Sequence, residues 1–258
     1  MIRTSGTGAA MTLAIALAWP APGSAESEPA AVAIAERVLE RLGGRDAWRG
    51  TRYLRFDWAV ERGGEQVVRR GHFWDKWTGD YRLEAATGEG AAYVVVMNLN
   101  TREGHAWSGG EELAGEALQK HLEDAFGAWT NDTYWLLAPF KLLDAGVSLT
   151  LAGEESEGGT TWDRLELSFD GVGLTPKDRY WVWVNRETGL VDRWDYVLKG
   201  EDGPPTSWTW EGWARHGRIE LPNDHRILEG DARIHFPVLA VPDALPEGWK
   251  TSGERLAE

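Results

Sequence analysis

The sequence predicts a mainly β, α+β chain of antiparallel strands interrupted by one helical excursion, and three observations carry this. Runs with period-two alternation recur over residues 53–99 and again over 147–236. Between them, over 111–126, the apolar residues recur at three and four. Sixteen tryptophans in 258 residues stand in alternating rows, as in Tyr180-Trp181-Val182-Trp183-Val184 and Trp208-Thr209-Trp210. Residues i and i+2 of a strand share a face, so such rows lay indole rings along sheet surfaces.

The elements follow in order. Residues 28–42 set Ala31, Ile34, Ala35, Val38, Leu39 and Leu42 on one helical stripe, and Gly43-Gly44 ends it as a left-handed terminator. Leu54, Phe56, Trp58 and Val60 then alternate with Arg55, Asp57, Ala59 and Glu61, a strand with one wet face. Arg62-Gly63-Gly64-Glu65 turns it into a second strand over 66–76, with Phe73 and Trp74 on opposite faces. Thr78-Gly79-Asp80 leads to a strand at 81–84, residues 91–99 read as a strand buried on both faces, and 101–107 as another.

The period then changes. Leu113, Ala114, Ala117, Leu118, His121, Leu122, Ala125 and Phe126 form a helical stripe. Asn131-Asp132-Thr133 reads as an N-cap or turn signal before a second, very apolar helical segment, Tyr134-Trp135-Leu136-Leu137-Ala138-Pro139-Phe140, which Pro139 ends or kinks. Strands resume over 147–152, 162–169, 180–185, 191–199, 206–215 and 218–221, with a last edge near 233–236. Glu187-Thr188-Gly189 and Gly200-Glu201-Asp202-Gly203 are the turns between them. Pattern counting therefore expects about eleven strands.

Compartment is read at the N-terminus. Arg3 supplies a positive n-region, residues 9–19 are apolar but too short to span a bilayer, and Gly23-Ser24-Ala25 ends in small residues. This predicts a signal peptide over 1–25, cleaved near Ala25, and a single exported domain over 26–258 in the periplasm. The chain has no cysteine, which excludes a lipid-anchoring cysteine, disulfides, thiol catalysis and cysteine-ligated metals. Past residue 25 there are 26 Lys and Arg against 41 Asp and Glu, a net charge of −15. Such a field repels nucleic acid and anionic membranes, so neither nucleic-acid binding nor stable membrane insertion is expected.

The search for chemistry returns no catalytic motif: no Gly-x-Ser-x-Gly elbow, His-Glu-x-x-His, P-loop, GxGxxG or EF-hand loop. The six histidines have no helix-turn spacing, and His72 and His121 read as structural or surface groups. Asp163 with Glu166 and Asp192 with Asp195 resemble paired carboxylates, but a wet sheet face is ordinarily charged. Lys141 suits a helix C-terminal end. The expectation is a non-enzyme without cofactor or metal.

The segments Leu42-Gly43-Gly44 with Ala47-Trp48, Asn131-Asp132-Thr133-Tyr134-Trp135-Leu136-Leu137-Ala138-Pro139-Phe140-Lys141-Leu142 with Asp144 and Gly146-Val147, and Tyr180-Trp181-Val182-Trp183-Val184-Asn185 carry a resemblance. With the element order, they make the chain similar to the LolA/LolB superfamily of periplasmic lipoprotein carriers, and more closely to a bacterial family of unknown function within it. The resemblance implies an open antiparallel half-barrel wrapped over lid or plug helices. The arginine that holds the lid of those carriers is not assigned to any one position here. An unclosed sheet has an inner surface that its own helices fill or a guest occupies.

The candidate ligand-binding residues are Trp58, Trp74, Trp181, Trp183, Trp194 and Trp210, with Tyr134 and Trp135 from the helix. A slip of one residue in register would exchange each strand candidate for its neighbour. The expected partner is a hydrophobic small molecule, a lipid or acyl chain, or a lipidated protein, bound by a monomer. An envelope sensor or interaction module with a closed cavity is the alternative; an unrecognised hydrolase or a sugar binder, with Asn185 or Asp195 beside the rings, stands behind both.

Overall fold

A computed structural model describes residues 27–86, 90–169, 179–198 and 203–256. The predicted signal segment and most of the turn at 200–203 lie outside these residues. In chain order the elements are α1 (Pro29–Arg41), α2 (Gly44–Gly50), β1 (Tyr53–Arg62), β2 (Glu65–Asp75), β3 (Asp80–Ala86), β4 (Ala92–Asn98), β5 (Gly104–Ser108), β6 (Glu111–Glu112), α3 (Gly115–Leu137), β7 (Val147–Glu157), β8 (Thr160–Phe169), β9 (Arg179–Asn185), β10 (Val191–Val197), β11 (Thr206–Thr209), β12 (Ala214–His216), β13 (Ile219–Leu221), β14 (Asp224–Arg226) and β15 (Ala232–Ala240).

Two antiparallel sheets form the wall. One runs β14-β15-β1-β2-β3-β4-β5-β6 and the other β11-β10-β9-β8-β7. Bridges between Trp208 and Ile227 and between Glu211 and Asp224 carry β11 onto β14, so the two sheets continue into each other. The wall ends at β6 and β7, which do not pair with one another, and the barrel is open. The Glu28 N–H donates to Leu149 O (2.9 Å), seating the start of α1 against β7.

The concave face is lined by one parity of each strand. In β1 it is Leu54, Phe56 and Trp58; opposite them in β2 stand Trp74, His72 and Arg70; then come Tyr81 and Leu83 of β3 and Met97 and Val95 of β4. All but Arg70 are buried. Helix α1 brings Ala31, Ile34, Ala35, Val38 and Leu39 into the same core. With 23 residues, α3 is about 34 Å long at 1.5 Å per residue. It crosses the concave face from β5 and β4, past β2, to β10 and β11.

Several expectations are corrected. Fifteen strands are present among the described residues, because β6, β12 and β14 are only two or three residues long and carry no periodicity; the strand expected at 218–221 is β13. Residues 111–126 and 134–140 are not two helices. Apart from the short β6 at their start, they belong to one helix that ends at Leu137, two residues before Pro139, and closes with a 3-10 turn over Ala138–Phe140. Asn131, Asp132 and Thr133 therefore lie inside α3 rather than at its start. The helix tolerates them because Thr130 Oγ1 and Thr133 Oγ1 donate back to Phe126 O (2.9 Å) and Trp129 O (2.6 Å), and Asp132 bonds the wall.

The strand expected over 206–215 breaks after Thr209 at Gly212, whose φ of 66° turns the chain. The expected edge at 233–236 is the middle of β15, which lies between β14 and β1. Helix α2 follows the Gly43-Gly44 terminator directly and has too few residues to show a stripe.

Gly43 and Gly44 adopt φ of 118° and 83°, in keeping with the left-handed terminator. At Gly43 a Cβ would also lie 2.6 Å from the carbonyl oxygen of Arg218. Gly43→Ala is expected to lower unfolding free energy by about 2 to 3 kcal/mol, from a strained φ plus a backbone clash, measured by urea denaturation. Gly64→Ala, at φ 81° with open space around it, isolates the backbone part alone.

Candidate functional site

The site is the concave face where α3 meets it, and its fixed point is a buried ion pair. Arg70, on the inward parity of β2, donates from Nε and Nη2 to Asp132 Oδ2 (2.7 Å) and Oδ1 (2.6 Å). The Asp132 side chain has no exposure and that of Arg70 retains 22%. A fork-to-fork contact of this kind is directional as well as strong. Asn131 Nδ2 adds a further hydrogen bond to Asp132 Oδ1 (2.9 Å).

His72 completes the cluster. Its Nε2 lies 3.0 Å from Asp132 Oδ2 and its Nδ1 2.8 Å from the Tyr81 hydroxyl, while its ring stacks on Phe56 at 4.4 Å. Burial holds His72 below the usual imidazole range, so it is neutral. Asp132 stays below the ordinary carboxylate range despite burial, because His72 and Arg70 favour its ionised form. Burial raises Tyr81 well above its ordinary value. The cluster is thus one cation, one anion and two neutral groups.

Beyond Asp132, α3 enters an aromatic wall. Trp135 contacts the rings of Trp194 (4.9 Å), Trp208 (5.0 Å) and His225 (5.6 Å), and Tyr134 lies 5.4 Å from Trp194 and 6.0 Å from Tyr180. Trp210 closes on His225 at 4.6 Å and Trp194 at 5.5 Å. These contacts, with Leu136 and Leu137, fill this part of the concavity. Burial pushes His225 down to about 4 and keeps it neutral.

The other part is less covered. Phe126, Gly127, Ala128, Trp129 and Thr130 are all half-buried, although they span more than a full helical turn. On the wall, Val60 and Tyr93 are half-buried and Val68 is 37% exposed, and Trp129 packs on Trp74 at 5.3 Å.

Of the eight residues singled out from sequence, the structure brings Trp58, Trp74, Trp194, Trp210, Tyr134 and Trp135 to the interior between wall and helix. Trp181 and Trp183 stand on the convex face. Their parity is opposite to that of Val182 and Val184, which pack into the core. There Trp183 donates from Nε1 to Asp195 Oδ2 (2.8 Å) under the Arg193 guanidinium (4.4 Å), and Arg179 lies 4.7 Å over Trp181. The reason is register: β9 pairs Val182 with Leu165 and Trp194, so the inward row is Tyr180, Val182 and Val184 in β9 and Trp194 and Tyr196 in β10, and Trp181 and Trp183 take the other face.

Sequence reasoning missed Arg70, Asp132 and Trp208 as site residues. Asp132, two residues before the very apolar run that starts at Tyr134, is the available signal, although its composition also fits a cap. Indole donors divide by face. Trp162 and Trp183, facing out, bond Asp192 and Asp195. Trp58, Trp129, Trp194, Trp208 and Trp210, between wall and helix, have buried Nε1 atoms with no hydrogen-bond partner among the described residues.

The carboxylates considered as catalytic pairs are all engaged. Asp163 bonds Arg186 and Arg37, Glu166 bonds Arg179, Asp192 bonds Trp162 and Asn185, and Asp195 bonds Trp183 and Arg193. Asn185 and Asp195 are thereby occupied as partners for a sugar. Lys141 pairs with Asp144 (2.8 Å). No helix of the described residues is long and apolar enough to cross a membrane.

No protein-family model and no curated protein matches the chain. Among solved structures, a LolA superfamily protein from Nitrosomonas europaea is similar at TM-score 0.50 and 13% identity, covering 86% of this chain and 97% of that one. A DUF1329 family protein from Desulfovibrio piger is similar at TM-score 0.49 and 15% identity, covering 85% and 96%. At such identities the likeness is one of fold, and the fold is the open LolA-type half-barrel.

Trp210→Ala is expected to lower stability by about 3 to 5 kcal/mol as a buried aromatic truncation, and Trp183→Ala by about 1 kcal/mol, both by urea denaturation. Asp132→Asn, which leaves Arg70 without its counter-charge, is expected to cost about 3 to 5 kcal/mol at pH 7. Because His225 is depressed in the fold, the unfolded chain takes up that proton first on acidification. Stability is whole above pH 6.5 and falls by roughly 3 kcal/mol as pH drops towards about 4. His225→Gln is expected to flatten this part of the stability profile, and an unchanged slope would contradict the assignment.

Proposed function

We propose that this chain is a periplasmic binder or carrier of an apolar ligand, a lipid, an acyl chain or the lipid anchor of a protein, held on the concave face as a monomer. The observation that carries the reading is the incomplete cover over β1, β2 and β4. Apolar side chains of wall and helix keep exposure there: Val60 and Tyr93 on the wall and Phe126 and Trp129 on the helix are half-buried, and Val68 is 37% exposed. Ligand sites are concave, mostly apolar and furnished with a few polar groups. Arg70 and the Trp58 and Trp129 indole donors, without a partner among the described residues, are the polar groups here.

The LolA-type fold supports this reading, and so does the engagement of Asp163, Glu166, Asp192 and Asp195 in structural bonds. The export pattern over residues 1–25 supports the compartment. Arg70 fits the part of a helix-holding arginine, since it ties α3 to the wall through Asp132. In this reading the ligand sits against Phe126 and Trp129, and the Trp135 end of α3 acts as the plug.

The tight packing of Trp135 on Trp194 and Trp208 favours one second reading, an interaction module with its cavity closed. Organic extraction of the folded protein purified from its own periplasm, followed by mass spectrometry, separates the two. Carriage expects lipid at near-stoichiometric amount, and Trp129→Ala is expected to reduce retention about tenfold while leaving the protein folded. Lipid-free protein, together with a partner recovered by crosslinking, would establish the interaction module instead.

A further inference from the structure

Resting on the binding reading above, we propose that Arg70 and Trp58 form a subsite for an uncharged carbonyl acceptor. The ligand it selects is an acyl chain joined as an ester or amide, over a free fatty acid or a plain hydrocarbon. Arg70 lies with Cζ 4.2 Å from the centroid of the Trp58 ring, so the two side chains form one stacked unit on neighbouring strands. The unit presents donors only. Arg70 spends Nε and Nη2 on Asp132, while Nη1 bonds nothing among the described residues, and its side chain is the one member of the ion-pair cluster that keeps exposure. Trp58 is 6% exposed and its Nε1 is buried without a partner among the described residues.

A buried N–H with no acceptor costs about 1 to 3 kcal/mol, and tryptophan suits a core only where its N–H can reach a partner. A guest that brings an acceptor removes that cost; a hydrocarbon leaves it in place. Charge decides between acceptors. The Arg70 guanidinium is already neutralised by Asp132 at contact distance, and His72 is neutral, so a carboxylate would give up its hydration for a site with no net positive charge. A carbonyl oxygen is an acceptor that loses little on leaving water. The unit adjoins the incompletely covered strip at Val60 and Val68, so the carbonyl would lie at the subsite with the chain running over that strip.

The test uses the delipidated mature chain with an environment-sensitive naphthalene probe bound, displaced in turn by methyl dodecanoate, dodecanoate and dodecane. The expected order is the ester first, at about tenfold lower concentration than the other two. Trp58→Phe keeps the ring and removes the N–H, and is expected to bring the ester to the level of dodecane while dodecane is unchanged. Because each variant is compared with itself, a loss of stability does not mimic the result. Dodecanoate displacing as well as the ester, or an ester preference that survives in Trp58→Phe, would overturn the subsite and leave the binding reading standing. Displacement by none of the three would remove both.

Discussion

The structure depends on one buried electrostatic contact, the pairing of Arg70 on the wall with Asp132 in the middle of the crossing helix. Neither charge could lie where it does alone, since an isolated ion in an apolar interior is many kcal/mol less stable than in water. The pair also dictates geometry, because a bidentate fork admits one orientation of α3 over β2. From that point the helix has two different environments, one on each side of Asp132. Towards Leu137 it is packed against indole rings; towards Gly115 it is only half covered.

The tryptophans make the same division visible in hydrogen bonding. On the convex face, Trp162 and Trp183 sit in a lattice of aspartates and arginines that satisfies their N–H groups and holds the sheet's wet side in place. On the concave side, five indoles contribute area but have no acceptor among the described residues. A wall of this kind is apolar in its faces and donor-rich in its edges.

Much of the architecture was legible in the chain. The period-two runs, the glycine terminator at 43–44 and the helical stripe after residue 112 led to strands, a stop and a helix at or near the positions observed. Where the reading failed, a tertiary partner had overridden a local signal. Asn131-Asp132-Thr133 has the composition of a helix start, yet the segment is helical because Arg70 receives the carboxylate and the threonine hydroxyls bond back to the preceding turn. Short strands such as β12 and β14 escaped notice because two or three residues have no period to read.

The sequence by itself determined that antiparallel strands would enclose a helical excursion, that the chain carries an export pattern and a strong negative charge, and that indole rings would stand in rows. Only the tertiary structure decided which rows face inward. In β9 the parity of Tyr180, Val182 and Val184 turns to the core and sends Trp181 and Trp183 outside, whereas in β10 and β11 the parity that carries Trp194 and Trp208 turns in. Both choices satisfy the same alternation. What separates them is pairing to neighbouring strands, a relation between distant segments that no local pattern encodes.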